Sequence, residues 1–197
     1  MAINLQKGQR ISLKKEAPKL QQLMCGLGWD VTKKGGFLGS LFTANFDLDA
    51  SVLCLDSKGK IKNNSEIVYF GNLRHYSSAI NHLGDNLTGA GTGDDEEIMV
   101  NLPLIPKNIN KLVFVVNIYN ASERSQDFAQ VQNAFVRLVN VTNNQEIARY
   151  TLSGNGYQGK TGMIMAELIR VEDDWEMMAK GDGFQAKSLG DIVKFYS

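Results

Sequence analysis

The segment at residues 84–97 constrains this chain most, because its glycines favour a tightly curved loop and its acidic side chains demand a counter-charge. Its fourteen residues include five carboxylates, one amide, two hydroxyls and four glycines. Glycine allows backbone turns at positive φ, whereas carboxylates this close together repel one another unless a cation lies between them. Ca²⁺ suits such a loop, since it binds about six to eight oxygen atoms in flexible geometry. The segment therefore predicts a calcium-binding loop.

A second acidic cluster lies at residues 46–52, where apolar and polar side chains alternate. Alternation with a period of two predicts a strand, with Asp47, Asp49 and Ser51 on one face and the apolar residues on the other. Two aspartates at this spacing lie roughly 6.5–7 Å apart along a strand. They could share one cation or hold two neighbouring ones.

Each cluster also has an explanation without a metal. Polar, glycine-rich turns are commonly just solvated, and charged residues on an edge strand protect against aggregation. Two such clusters in one chain favour the metal site, but an acidic scaffold that binds a basic partner without metal stays open. The loop is not an EF-hand, which requires acids at alternate positions, whereas Asp85 and Asn86 are adjacent.

Several segments resemble the tellurium-resistance TerD family of stress proteins. The most specific is the string GDNxTGxGxGDDE, which is present in full at residues 84–96. The other matching segments are residues 5–8, 26–30, 46–51, 114–116, 133–138 and 146–150, with a looser match at residues 181–184.

The resemblance implies an antiparallel β-sandwich that binds Ca²⁺, with two ions expected, no catalytic activity, and a role in tellurite resistance and the general stress response. We expect an all-β fold with one or two short helices and a single domain over residues 1–197. The metal ligands that the resemblance carries over to this chain are Asp47, Asp49, Asp85, Asn86, Thr88, Gly89, Gly91, Gly93, Asp94, Asp95 and Glu96. Many relatives have acids where this chain has Ala90 and Thr92, and fewer charges could weaken affinity.

Charge and hydropathy bear on partners and location. Lys+Arg and Asp+Glu are balanced at 21 each, so the basic excess of a general nucleic-acid binder is missing. The sequence begins without an apolar signal region, and its longest apolar run, residues 112–116, is far too short to span a membrane. We expect a cytoplasmic protein without a transmembrane segment. The resemblance places its partners among other tellurium-resistance proteins, and basic residues near the N-terminus leave contact with the inner face of the membrane open.

The sequence positions of the cysteines and histidines do not indicate a catalytic or metal site. Cys25 and Cys54 lie in strand-like surroundings, which predicts reduced core residues. His75 and His82 lack the ligand spacing of a zinc site.

Short extended segments separated by turn signals predict a sandwich of strands. The predicted strands are residues 4–13, 22–29, 46–55, 66–71, 97–102, 111–119, 134–141, 146–152, 163–171 and 174–180. Short helices are predicted at residues 122–130 and 188–195. In the second helix Ser188 is the expected N-cap, and the apolar face is expected to dock onto the sandwich through Leu189, Ile192, Val193 and Tyr196.

Residues 154–161 match the phosphate-loop pattern GxxxxGK[ST], and this leaves a nucleotide-binding protein as an alternative. The strand before the pattern alternates, whereas a phosphate-loop strand is buried on both faces. Only 36 residues follow Thr161, too few for the rest of a nucleotide-hydrolysing core. A glycine-rich hairpin between antiparallel strands is the simpler interpretation. Since the sequence contains no other recognisable nucleophile motif, we do not expect an enzyme.

Overall fold

The computed structural model describes residues 2–31, 47–84, 93–152 and 156–197, which form two six-stranded sheets. The strands are β1 Ile3–Asn4, β2 Arg10–Ser12, β3 Gln22–Val31, β4 Leu48–Leu55, β5 Ile67–Val68, β6 Ile80–His82, β7 Glu96–Asn101, β8 Lys111–Ile118, β9 Val131–Asn140, β10 Gln145–Thr151, β11 Gly162–Val171 and β12 Asp174–Phe184. The α-helices are α1 Leu13–Glu16, α2 Ala121–Arg124 and α3 Leu189–Val193.

The first sheet has the order β1-β10-β9-β3-β7-β6, and the second has the order β2-β12-β11-β8-β4-β5. Neighbouring strands are antiparallel except for β1 and β10, which are parallel. The all-β, antiparallel fold class predicted from the sequence is confirmed, with β1 as a short parallel addition.

The main hydrophobic core lies between the two sheets, where Cys25 and Ile98 of the first sheet share one buried cluster with Phe114 of the second. A smaller core lies on the outer face of the second sheet, where α3 covers Leu53 and Val113. Because β4 and β8 are buried on both faces, their sequences contain nearly continuous apolar runs. Both cysteines are free and buried, as expected.

The main differences between the predicted and the observed strands are at residues 4–13, 66–71 and 80–82. The segment at residues 4–13 is two short strands, because Gly8 turns the chain with φ +81°. The segment at residues 66–71 pairs only at Ile67–Val68, because Tyr69 and Asn72 form a tight turn with two backbone hydrogen bonds. The three-residue strand β6 was not predicted, since it is too short to show a period.

The predicted helix at residues 122–130 is wrong in extent. Asn120 and Ser125 both have φ +51° and bound a single turn, α2, and Phe128–Gln130 form a separate 3-10 turn. The C-terminal helix is confirmed, and its predicted apolar face packs on the outer core. Ser188 is at the N-cap position, as predicted, but its side chain makes no cap hydrogen bond to any of the described residues. Asp191 Oδ2 accepts a hydrogen bond from Lys187 N at 3.0 Å.

No helix among the described residues is long and apolar enough to cross a lipid bilayer.

Candidate metal site at the ends of β4 and β7

The two acidic clusters meet where the start of β7 crosses the open edge of β4. Glu96 is buried, and its Oε2 accepts a hydrogen bond from Ala50 N at 2.6 Å. His82 Nε2 lies 3.3 Å from Ala50 O and 3.3 Å from Glu96 Oε2. Since β5 pairs with β4 only at Val52 and Leu53, these two side chains bind backbone groups of β4 beyond the end of β5. The end of the acidic loop is thereby fixed one residue away from Asp49.

Asp49 is buried, at 5% exposure. It pairs in register with Asn117 on β8, whose Nδ2 donates a hydrogen bond to Asp49 Oδ2 at 3.2 Å. Asp47 precedes β4, and its Oδ2 lies 3.9 Å from Arg124 Nη1. Carboxylate oxygens are hard donors of the kind that Ca²⁺ binds, so the two aspartates place candidate ligands at this end of β4.

Alternation along β4 directs Asp49 and Ser51 away from the main core, whereas Leu48 and Ala50 point into it. The prediction that Asp49 and Ser51 share a face opposite the apolar residues is therefore confirmed. That outer face is not solvent-exposed, however, because Asp49 and Ser51 are both buried.

Two further oxygen atoms at this face were not predicted as ligands. Asn117 Oδ1 and Ser51 Oγ are buried, and neither has a hydrogen-bond partner within the described part of the chain. A buried acceptor without a donor costs free energy, and amide and hydroxyl oxygens are hard donors of the kind that Ca²⁺ binds. The residues present thus fit an oxygen-binding cation. The sequence signal for Asn117 was a single amide at the end of a buried apolar run.

Asp94 is bound by an arginine. Arg137 Nε lies 2.8 Å from Asp94 Oδ1, and Arg137 Nη2 lies 2.8 Å from Asp94 Oδ2, in a bidentate pair. The Asp94 side chain is only 1% exposed. Hydrogen bonding to Asp94 is the main cause that raises the pKa of Arg137. The pair crosses β3 above Gly26, where an added Cβ would lie 2.2 Å from Asp94 Oδ2.

Asp95 binds the end of the loop to β3. Its Oδ2 accepts a hydrogen bond from Trp29 N at 2.8 Å, and its own N donates to Leu27 O at 2.7 Å. Gly28 also permits a close approach here, because an added Cβ would lie 2.7 Å from Gly93 O. Three consecutive acids therefore fasten the loop end to three different strands: Asp94 to β9, Asp95 to β3 and Glu96 to β4.

The predicted ligands divide into two groups. The structure places Asp47, Asp49, Gly93, Asp94, Asp95 and Glu96 at the ends of β4 and β7. The remaining predicted ligands, Asp85, Asn86, Thr88, Gly89 and Gly91, lie outside the described residues.

The phosphate-loop alternative disagrees with the structure. A phosphate loop leads into a helix, whereas residues after Thr161 form strand β11. The Thr161 hydroxyl is buried and bonds the backbone of Ala186, donating to its O at 2.5 Å and accepting from its N at 2.9 Å. The Thr161 hydroxyl therefore has a structural role and does not point to solvent as a ligand for Mg²⁺ would.

Comparison with known proteins gives a consistent picture. The model of the TerD domain family matches residues 1–196. The chain is 48% identical over 200 residues to stress response protein SCP2 of Bacillus subtilis (strain 168), with 100% of both chains covered. It is 40% identical over 196 residues to tellurium resistance protein TerD of Serratia marcescens, covering 100% of this chain and 97% of the other.

A solved structure supports the fold. The crystal structure of a homologue of telluride resistance protein (TerD) from Streptomyces coelicolor A3(2) matches with a TM-score of 0.66 and 20% identity, covering 90% of this chain and 98% of that one. At this level of identity the likeness concerns the fold alone.

Proposed function

The chain belongs to the TerD domain family, and we propose that it is a calcium-binding, non-enzymatic protein of tellurite resistance and the general stress response. The names of its relatives support the general role. The observation that carries the calcium assignment is the contact between Glu96 Oε2 and Ala50 N at 2.6 Å. It brings the end of the acidic loop to the strand that holds Asp49, beside the buried Asn117 Oδ1.

In this proposal the acids divide into ligands and positioning residues. Asp47 and Asp49 supply carboxylate oxygens from β4, and Asn117 adds its amide oxygen. From the loop, Asp85, Asn86 and Thr88 supply side-chain oxygens, and the glycines at 89, 91 and 93 offer backbone carbonyls. This donor set is large enough for two Ca²⁺ ions at about six to eight oxygens each only if ligands are shared or water completes the shells.

Asp94, Asp95 and Glu96 hold the loop in place. Asp94 is bound on both oxygens by Arg137, Asp95 bonds Trp29 N, and Glu96 bonds Ala50 N. Each carboxylate keeps lone pairs that a cation could still use, but its first role in the proposal is to fix the loop against β4. When bound, Ca²⁺ supplies positive charge that offsets the repulsion among the remaining carboxylates.

The test is calorimetric titration of the chelator-stripped protein with Ca²⁺. Asp49→Asn removes one charge with almost no change of shape, and we expect it to weaken affinity by about tenfold or more, which is about 1.4 kcal/mol. Asn117→Ala should weaken affinity in the same direction, since it removes an oxygen donor.

Glu167→Gln is the matched control. Glu167 is also a buried carboxylate on the second sheet, but it pairs with Lys111 at 3.1 Å and has no part in the proposed site. This variant should titrate like the wild type. If Asp49→Asn bound Ca²⁺ as tightly as the control, the calcium assignment would fail.

We also propose that the protein works in the cytoplasm and associates with other tellurium-resistance proteins, with the inner face of the membrane as one place of association. The support is the naming of the relatives. Pull-downs with and without chelator test the role of calcium in this association. Capture that depends on Ca²⁺ is the expected result, whereas equal capture in both conditions would favour a metal-independent scaffold.

A further inference from the structure

Three buried side chains that the calcium proposal does not use converge under the edge of the second sheet. Cys54 comes from β4, Glu66 from the 3-10 turn before β5, and His75 from the loop before β6. Their exposures are 1%, 3% and 0%. The Cys54 Sγ, a Glu66 carboxylate oxygen and a His75 ring nitrogen all lie within 4.8 Å of one another.

The spacing is close to that of a tetrahedral metal site. Zn²⁺ binds nitrogen and oxygen at about 2.0–2.2 Å and sulfur at about 2.3 Å, so the ligand atoms of a tetrahedral site lie roughly 3.3–3.6 Å apart. His75 Nε2 and Glu66 Oε2 are 3.2 Å apart. The sulfur lies within 4.8 Å of both, so reaching a tetrahedral separation of about 3.5 Å would require it to move closer by roughly 1.3 Å at most. That movement is within reach of a side-chain adjustment.

The hydrogen bonds of His75 determine which of its ring nitrogens carries the proton, and a metal bound at Nε2 would require that proton to be on Nδ1. Ser77 N donates a hydrogen bond to His75 Nδ1 at 3.2 Å, which favours the tautomer with a proton on Nε2, donated to Glu66. Ser77 Oγ lies 2.7 Å from the same Nδ1 and can accept a hydrogen bond from it when Nδ1 carries the proton. The second tautomer, with the proton on Nδ1, leaves the Nε2 lone pair free to bind a metal, and a ligating histidine is typically oriented by such a second bond.

The chemistry of the three groups selects a class of metal. Burial is the main cause that raises the pKa of Cys54, so without a metal this group is a thiol and a poor nucleophile. A bound transition metal converts it to the thiolate. One sulfur, one imidazole nitrogen and one carboxylate oxygen suit Zn²⁺ and Co²⁺ and do not suit Ca²⁺, which prefers oxygen alone.

We propose that Cys54, Glu66 and His75 form a second metal site, specific for zinc-class divalent cations and separate from the calcium site. Binding releases the Cys54 thiol proton to solvent and moves the His75 proton from Nε2 to Nδ1. The fourth position is left for a water molecule or another small ligand. The ring of Tyr76, 56% exposed, packs on His75 with 4.2 Å between centroids, so the cluster lies close beneath the surface.

The sequence conceals this site because its ligands are 12 and 9 residues apart, at positions 54, 66 and 75. None of the compact pairs by which zinc sites are recognised is present among them. The pairing of β5 with β4 and the hydrogen bond between His75 and Glu66 bring them together.

The test is titration of the chelator-stripped protein with Co²⁺ in the presence of saturating Ca²⁺, which keeps Co²⁺ from the oxygen ligands. Wild-type protein should develop the near-ultraviolet charge-transfer band of a thiolate–cobalt bond at one equivalent, and Zn²⁺ should abolish it. Cys54→Ala should show no band. Cys25→Ala is the matched control, because Cys25 is equally buried but belongs to the other sheet, and its band should equal that of wild type.

Two results of the cobalt titration would overturn the proposal. One is folded wild-type protein without a thiolate–cobalt band, which would leave the three groups as a hydrogen-bonded part of the core. The other is a band that persists in Cys54→Ala. Nitrogen NMR of His75 in the wild type provides a readout that does not depend on variant folding. Zn²⁺ should shift the proton from Nε2 to Nδ1, and an unchanged tautomer at saturating Zn²⁺ would also refute the site.

Discussion

Replacing Gly26 by alanine should break the contact that fastens the acidic loop to the first sheet. A Cβ at this position would lie 2.2 Å from Asp94 Oδ2 and 2.3 Å from Asp94 Cγ. These separations are far below van der Waals contact, so the carboxylate must move. Its movement disrupts the bidentate pair with Arg137, because both oxygens are held at 2.8 Å from the guanidinium.

The expected loss of unfolding free energy follows from the burial of the Asp94–Arg137 pair. Removing one partner of a buried ion pair costs about 3–5 kcal/mol. Arg137 is 27% exposed and keeps Glu146 at 3.0 Å, so solvent and the second carboxylate recover part of the loss, and we expect about 2–3 kcal/mol. A chain of this size loses roughly 2–4 °C of melting temperature for each kcal/mol. Gly26→Ala should therefore melt about 4–12 °C below the wild type.

A double-mutant cycle isolates the cause. Asp94→Ala removes the carboxylate that would clash with an alanine at position 26. Gly26→Ala should therefore cost less than about 1 kcal/mol in that background, with a coupling energy of about 1–3 kcal/mol. Denaturant unfolding of the four proteins measures it. Additive effects of the two changes would show that the strain at Gly26 arises elsewhere, and the argument would be wrong.

Two further predictions concern a charge network and the rejected phosphate loop. Hydrogen bonds from Arg149, and then from Arg137, lower the pKa of Glu146 below its usual 4.5, so its stabilising effect is complete above about pH 4.5 and is lost as pH falls through the lowered value. The stability difference between wild type and Glu146→Gln should shrink on acidification in denaturant titrations, and a difference that grows would contradict this. Thr161→Val should cost about 1–3 kcal/mol because it leaves Ala186 backbone groups unbonded, and Mg-ATP should not raise the melting temperature of the wild type. A rise that disappears in Lys160→Ala would restore the nucleotide-binding alternative.

The sequence predicted the fold well for long strands and for the helix with one apolar face. The long strands β3, β11 and β12 and the amphipathic helix α3 were identified because their side-chain patterns repeat over many residues, and β8 was identified by its nearly continuous apolar run. The strands β5 and β6 have two and three residues, too few for a period. The extent of α2 depends on Asn120 and Ser125, which both have positive φ, a conformation that is uncommon for residues other than glycine.

The sequence indicated which acidic residues belong to the candidate site, but it did not indicate which partner each of them binds. Clustered acids indicated a cation loop, yet nothing in the local sequence shows that Arg137, 43 residues later, binds Asp94. In the same way, the role of Asn117 depends on its register opposite Asp49 across β4 and β8. Such pairings arise from tertiary structure, which periodicity does not encode.

The measurement to make first is thermal unfolding of the chelator-stripped protein with Ca²⁺ or Mg²⁺ added separately, for wild type and Asp49→Asn. A ligand at 100 times its dissociation constant stabilises the native state by about 2.7 kcal/mol, which is a rise of about 5–11 °C for a chain of this size. We predict such a rise with Ca²⁺, little with Mg²⁺, and a smaller Ca²⁺ effect in Asp49→Asn. A wild-type melting temperature that Ca²⁺ leaves unchanged would contradict the calcium-binding function.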